Sequence, residues 1–299
     1  MRLMTKWLIA SGILIVLGVV ICLVTFKFTN FNFTSFNSEE YVTESFDVND
    51  TFSSIDVSSV RSDVKLLPAD GKECKVVFLD TEDATHEVHA DNGTLYITAK
   101  APDKIQSFGI NVQSPCITVY LPESKYKDFT VSTTSGDVNL PGDFSFNNIN
   151  IAGNTTDVKC AASVKETLVI GLTTGDVELN DVAPEKSNIS VNTGDLKLHS
   201  YTGGDIELKL TTGDVTLDHV NVEGVLSITG ITGDISFIES DAQSIYVKVN
   251  TGDIKGTILT DKQFKASTKI GDTKVPDSKG DKTCELHSNT GDIEIEIGD

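Results

Sequence analysis

No two of the five cysteines in this 299-residue chain stand in CxxC spacing, which argues against a structural zinc site. No HExxH helix is present. "HEVH" sets His86 and His89 three apart around Glu87 in an acidic, turn-rich stretch, and with His199, His219 and His287 they read as exposed loop residues. Bases are scarce as well: 24 Lys and Arg face 44 Asp and Glu, a formal charge of −20. Three of those bases (Arg2, Lys6 and Lys27) and no acid fall within the first 30 residues, leaving 21 bases against 44 acids, or −23, for the remainder. Such a surface repels phosphate backbones and anionic headgroups, so nucleic-acid binding and attachment through a basic patch are disfavoured, while cations and cationic partners are not.

One long apolar run is present. "WLIASGILIVLGVVICLVTF", residues 7–26, is twenty residues without a charge, which at 1.5 Å per residue matches a hydrocarbon core roughly 30 Å thick. Arg2 and Lys6 precede it, so residues 1–6 are expected in the cytoplasm, 7–26 as a single-pass transmembrane helix, and the rest outside the cell membrane. A cleaved signal peptide would carry a shorter apolar region and a small-x-small site, which "VTFKF" does not offer. Cys22 follows Ile21, not the small residue that lipoprotein processing needs, and reads as a membrane-embedded Cys. Residues 27–45 mix Phe with Asn, Ser and Thr without a helical period and read as a juxtamembrane linker.

The rest is dominated by repetition. Aligned on the Gly of "TGD", nine copies fall at Gly136, Thr156, Gly175, Gly194, Gly213, Gly233, Gly252, Gly271 and Gly291, spaced 19 or 20 residues apart. Five residues before that position stand Val131, Ile151, Ile170, Ile189, Leu208, Ile228, Val247, Ala266 and Leu286, all apolar. Apolar residues also recur seven before, two after and four after it, with polar residues between: period-two alternation on two short stretches per copy. The spacing of three and four that a helix needs is absent, and Val, Ile and Thr favour a pleated surface. One such unit cannot bury its apolar face alone, whereas stacking nine of them fuses the faces into one core. The fold class is therefore all-β: a single-stranded β-solenoid of 19–20-residue coils, stacked in sequence order over residues 129–299. Gly at each bend supplies backbone conformations that a side chain penalises, and Asp and Thr satisfy loose backbone groups.

Residues 46–128 alternate as strands do but without the strict spacing, and are expected to open and cap the solenoid. The final "IEIEIGD" is expected to leave an open edge, with Glu294 and Glu296 deterring edge pairing. "FDVNDTFSSIDV", "GTLYITA", "ITVYLPESKYKDFTVSTTSGDVNL" and the later "TTGDV" and "NTGDI" copies together resemble the bacterial "putative adhesin" family of β-strand-repeat domains, across about residues 46–299. The resemblance implies a membrane-anchored, envelope-associated β-solenoid with no established enzymatic activity and no catalytic residues to carry over. "NTTDV" and "KIGDT" depart from the pattern at Thr156 and Gly271.

Candidate sites are few. The Asp after each Gly is complete in nine copies: Asp137, Asp157, Asp176, Asp195, Asp214, Asp234, Asp253, Asp272 and Asp292. Stacked carboxylates repel, which invites a divalent cation such as Ca²⁺ with its taste for oxygen ligands. The rival, favoured reading has each Asp capping its own turn. The residue before the Gly is Ser or Thr in every copy but Ile270, giving a hydroxyl ladder. Cys74, Cys116, Cys160 and Cys284 fall outside the membrane, where disulfides are permitted, but their place in apolar columns favours buried free thiols. The sequons at Asn32, Asn92, Asn154 and Asn188 matter only in a glycosylating host. No catalytic, cofactor-binding or metal residue is singled out. The expected function is a cell-envelope structural or adhesin-like binding module that acts by geometry, with envelope components or a membrane protein as partner. The alternatives are a carbohydrate-active enzyme on a β-helix and an envelope-stress accessory that modulates a membrane sensor.

Overall fold

The structure, a computed structural model, describes residues 41–101, 114–277 and 279–298, together with residues 11, 14, 15 and 17–21. The chain divides into two compact units, residues 1–39 with 104–112 and residues 40–103 with 113–299. The described residues of the first unit are helical and exposed. Most of the expected span at 7–26 lies outside the described residues, and no helix among them is long and apolar enough to cross a membrane.

The second unit is all strand and turn. Its opening part holds β1 (Tyr41–Val48), β2 (Ser54–Ser59), β3 (Asp63–Pro68), β4 (Cys74–Thr81), β5 (Thr85–Asp91), β6 (Thr94–Lys100) and β7 (Cys116–Leu121). The repeats follow as β8 (Lys125–Ser135), β9 (Val138–Leu140), β10 (Ser145–Thr155), β11 (Val158–Cys160), β12 (Ser163–Thr174), β13 (Val177–Asn180), β14 (Lys186–Thr193), β15 (Leu196–His199), β16 (Thr202–Gly203), β17 (Asp205–Thr212), β18 (Val215–Asp218) and β19 (Asn221–Thr232). The last part is β20 (Ile235–Thr251), β21 (Ile254–Ile258), β22 (Gln263–Ile270), β23 (Thr273–Lys274), β24 (Thr283–Thr290) and β25 (Ile293–Ile297).

Each repeat gives one strand to each of two parallel stacks. In the longer-stranded stack, Val131, Ile151, Ile170, Ile189, Leu208, Ile228 and Val247 lie in one register row, each beside the next. In the shorter-stranded stack, Val138, Val158, Val177, Leu196, Val215, Ile235 and Ile254 do the same. All fourteen side chains are buried, and each contributes about 1.5–3 kcal/mol of transfer free energy. The alternation therefore fixes the β-solenoid: a one-residue slip would turn a whole row into solvent.

Stacking in sequence order fails at the C-terminal end. β20 pairs not with β22 but with β24, which pairs with β22 on its other side; likewise β21 pairs with β25, and β25 with β23. The ninth copy therefore sits between the seventh and the eighth, and the eighth is the outermost layer. This explains "KIGDT": with one neighbour instead of two, Thr273 replaces the buried aliphatic, and Ile270, 69% exposed, replaces the threonine. It also corrects the reading of the edge. Over β25 the Glu294 and Glu296 carboxylates lie 2.6 and 3.3 Å from Lys274 Nζ, and the outermost strands carry Lys265, Lys269 and Lys274, the charges that discourage edge pairing. The crossing that skips a layer is held by Lys262, fully buried, whose Nζ lies 2.5 Å from Asp241 and donates to the Ala242 carbonyl at 2.8 Å.

The opening part behaves in the same way. β2 and β3 form a coil in register with β8 and β9, pairing Val57 with Val131 and Val64 with Val138. β6 and β7 stack on its far side in parallel, and β4, β5 and β1 close that end in antiparallel pairs. β1 opens at Tyr41, inside the stretch read as linker.

Candidate functional site

Among the surfaces that carry polar side chains are the Gly–Asp corner, the opposite corner, and the outer face of the longer-stranded stack.

At the Gly–Asp corner the coils approach so closely that a Cβ on Gly213 would collide with the Gly194 carbonyl, and Gly213 has φ 138°. The Asp column is a hydrogen-bonded ladder. Asp157 N donates to Asp137 Oδ1 at 3.2 Å, and the amides of Asp176, Asp195, Asp214, Asp234 and Asp253 each donate to the preceding Asp at 2.8–2.9 Å. It continues through the exchanged layers: Asp292 N donates to Asp253, and Asp272 N to Asp292. Every Asp of the column but Asp272, on the outermost layer, thus caps the turn of the layer stacked on it, not its own as the sequence suggests, with one carboxylate oxygen committed to the backbone. Lys255, 2.6 Å from Asp253 Oδ2, and then the Asp292 amide hold the Asp253 carboxyl below its usual range. Asp63, at the corner of β2 and β3, is a member the spacing concealed: its Oδ1 accepts from Asp137 N at 2.9 Å. At "NTTDV" the buried Thr156 occupies the Gly position, and the side-chain room comes from Gly153, where a Cβ would collide with the Thr156 side chain.

The opposite corner is not repetitive. β13, β15 and β18 end there at Asn180, His199 and Asp218, side by side in register. The next residues, Asp181, Ser200, His219 and Glu239, all have φ between 44° and 55°. His199 Nδ1 lies 2.7 Å from Asp218 Oδ2, and His219 Nδ1 lies 2.6 Å from Asp218 Oδ1. His219 Nε2 is 3.0 Å from Glu239 Oε2. Hydrogen bonds from His199 and then His219 lower the Asp218 carboxyl, and donating to Asp218 raises His219. The sequence reading left these two histidines as unrelated loop residues. The signal that joins them is their separation of twenty residues, one repeat, which sets them on adjacent layers.

Of the five histidines, His219 lies exposed in a loop as expected, whereas the others lie on strands. His86 lies on β5 with a nearly buried side chain, stacked on Phe78 at 4.2 Å and bonded to Glu44 and Asp80 at 2.8 and 3.4 Å. His89 is on β5 and His287 on β24. Cys74, Cys116, Cys160 and Cys284 are free, and burial pushes the thiols of Cys74, Cys160 and Cys284 up to about 12, so they stay protonated fillers at neutral pH. Asn92, Asn154 and Asn188 are exposed, and Asn32 lies outside the described residues.

On the outer face, the exchanged layers bring Ser227, Tyr246, Glu285 and Lys265 into one row, and Thr229, Lys248, His287 and Ser267 into the next. They line a shallow depression of about 390 Å³ to which the exposed Tyr246 side chain contributes. Lys265 Nζ is 2.6 Å from Glu285, and Ser267 Oγ is 2.8 Å from His287 Nδ1.

The Toastrack DUF4097 family matches residues 52–296, spanning both the irregular coils and the regular ones. The chain belongs to this family. Among solved structures, a "putative adhesin" from Parabacteroides distasonis is 12% identical over 85% of this chain and 97% of that one, with a TM-score of 0.55. A "putative adhesin" from Bacteroides fragilis is 17% identical over 87% and 98%, with a TM-score of 0.47. At 12% identity the Parabacteroides distasonis likeness speaks for the fold and for nothing finer. No curated protein matches the chain. This Toastrack chain combines a ladder corner repeated from coil to coil with an opposite corner whose residues differ from one coil to the next.

Proposed function

We propose that the chain is a membrane-anchored, extracytoplasmic Toastrack module that binds envelope components through the outer face around Tyr246, without turning them over. The carrying observation is that face: an exposed aromatic side chain among hydroxyl, lysine and carboxylate groups on a fixed β surface. Such a surface suits a polyhydroxylated ligand, whose apolar ring face stacks on the tyrosine while its hydroxyls exchange hydrogen bonds with Lys248 and Glu285. The Asp ladder supports binding over catalysis, since its carboxylates serve the neighbouring backbone. The uncharged run at 7–26 behind Arg2 and Lys6 supports the anchor.

The test is sedimentation of the full-length chain, in mild detergent, with isolated cell-wall polysaccharide. Wild type should co-sediment saturably and Tyr246→Ala should lose about 1–3 kcal/mol of affinity, the usual worth of a stacked aromatic. Equal binding by Tyr246→Ala would remove this face from the function. Release of new reducing ends would favour the enzyme reading instead.

A further inference from the structure

The corner where β15, β18 and β20 turn gathers side chains that the envelope-binding face does not use. Three features of it converge on one kind of ligand. First, its donor set is two imidazoles and one carboxylate, and the ligating atoms of His199, Asp218 and His219 all lie within 4.8 Å of one another. Second, the three side chains are held by successive rungs of the ladder: Ser200 N donates to the Asp218 carbonyl and His219 N to the Ile238 carbonyl, both at 2.9 Å, so their backbones are fixed before any ligand arrives. Third, the far nitrogen of one imidazole already has a carboxylate partner, His219 Nε2 to Glu239 Oε2 at 3.0 Å. That outer pairing is the one that orients metal-ligating histidines and leaves the near nitrogen to the ion.

We propose that His199, Asp218 and His219 form a site for a divalent transition-metal ion of the zinc class, with Glu239 orienting His219. Each histidine gives Nδ1 and Asp218 gives an oxygen. A tetrahedral ion bound at roughly 2.0–2.1 Å sets its ligand atoms about 3.3 Å apart. The histidine nitrogens now stand 2.7 and 2.6 Å from the Asp218 oxygens, closer than that spacing, so the carboxylate and the imidazoles open around an ion as it displaces the protons they share. Nitrogen donors exclude calcium and magnesium, which take shells of oxygen. The side chains of His199 and His219 are 51% and 55% exposed, so the fourth position faces solvent and is open to water or to a ligand from another molecule. The ion would tie two consecutive coils together directly and a third through Glu239. This is distinct from the calcium ladder considered for the Gly–Asp corner, where all but the outermost carboxylate accept a backbone amide.

The experiment is titration of the full-length chain, in detergent and free of any affinity tag, with Co²⁺ followed by its visible absorption, then displacement by Zn²⁺. One equivalent of cobalt should bind with the intense bands of a four-coordinate site and be displaced by zinc. The His199→Ala/His219→Ala double variant should lose the spectrum, and Glu239→Gln should bind about 10–100-fold more weakly. His89→Ala and His287→Ala, away from the cluster, should titrate as wild type. Should the double variant fail to fold, judged by far-ultraviolet circular dichroism, Asp218→Asn replaces it and should lose the spectrum as well. Absence of saturable cobalt binding by wild type, or wild-type affinity in the cluster variants, overturns the assignment. Neither result bears on polysaccharide binding at Tyr246, so the two readings fail separately.

Discussion

Glycines on this chain look alike in sequence and differ in what they do. Gly213 sits at φ 138° against the Gly194 carbonyl, whereas Gly171 has open space around its missing Cβ and lies within β12. Gly213→Ala should therefore cost about 2–4 kcal/mol from backbone strain and collision combined. Gly171→Ala should stabilise by about 0.5–1 kcal/mol, because alanine loses less freedom on entering a strand. Urea midpoints of the two variants, compared with wild type, check both signs. The need for glycine at the corner was legible, since the column recurs every 19 or 20 residues. The reason, a carbonyl pressed in from the next layer, was not, because a single sequence shows spacing along the chain and not distance between layers. For the same reason the departure at Thr156 could be seen while its compensation at Gly153 could not. The pairing of His199 with His219 was hidden because a corner built of unlike residues leaves no column to align.

At the scale of the element, hydrophobic alternation identified the strands and their inward faces almost residue by residue, yet it could not order the last layers. The seventh, eighth and ninth copies share a period, and although the eighth departs from the pattern at Ile270 and Thr273, the period alone does not say which layer that copy occupies. What separates them is a connection: Lys262 and Asp241 anchor the crossing that passes over one rung, and an ion pair between residues 21 apart has no sequence signature. Oxidative cross-linking decides the order. Lys248 is the register partner of His287, which in turn is the partner of Ser267. The Lys248→Cys/His287→Cys variant should form a disulfide under mild oxidation, whereas Lys248→Cys/Ser267→Cys, two rungs apart, should not. Stacking in chain order predicts the reverse, and mapping the cross-linked peptides reads the answer directly.

For the molecule as a whole, stability should depend on pH through the closed end of the second unit, where Arg61, Asp80, His86 and Glu44 join β1, β4 and β5 to the first coil corner. Burial opposes the charged imidazole, but the hydrogen bonds it donates to Asp80 and Glu44 outweigh it and raise His86 above its ordinary 6.5. Burial likewise works against the Asp80 carboxylate, and His86, the Thr81 amide and Arg61 together bring it below 3.8. A raised histidine adds stability in full below pH 6.5 and loses it as the pH climbs through the raised value. A lowered aspartate adds stability above pH 3.8 and loses it as the pH falls through the lowered value. Thermal midpoints should accordingly decline as the pH is taken from about 6 to about 8, and the gap between wild type and His86→Gln should narrow over that window. His219, raised by Asp218, contributes in the same direction, so the gap narrows without abolishing the trend. A gap that stays constant with pH would show that His86 is not charged in the folded state. The acidic balance of the chain foretold none of this, since it counts charges without saying which of them meet.

The interleaved last layers also set an order of assembly. A chain made from its amino end delivers residues 263–274 before 283–297, yet the later segment lies beneath the earlier one. A nascent stack that simply grew outward would seat the eighth copy on the seventh and have to lift it off again. The final rung therefore closes the pile from within, like a keystone, and the solenoid reaches its native order only once the translation of residue 297 is complete.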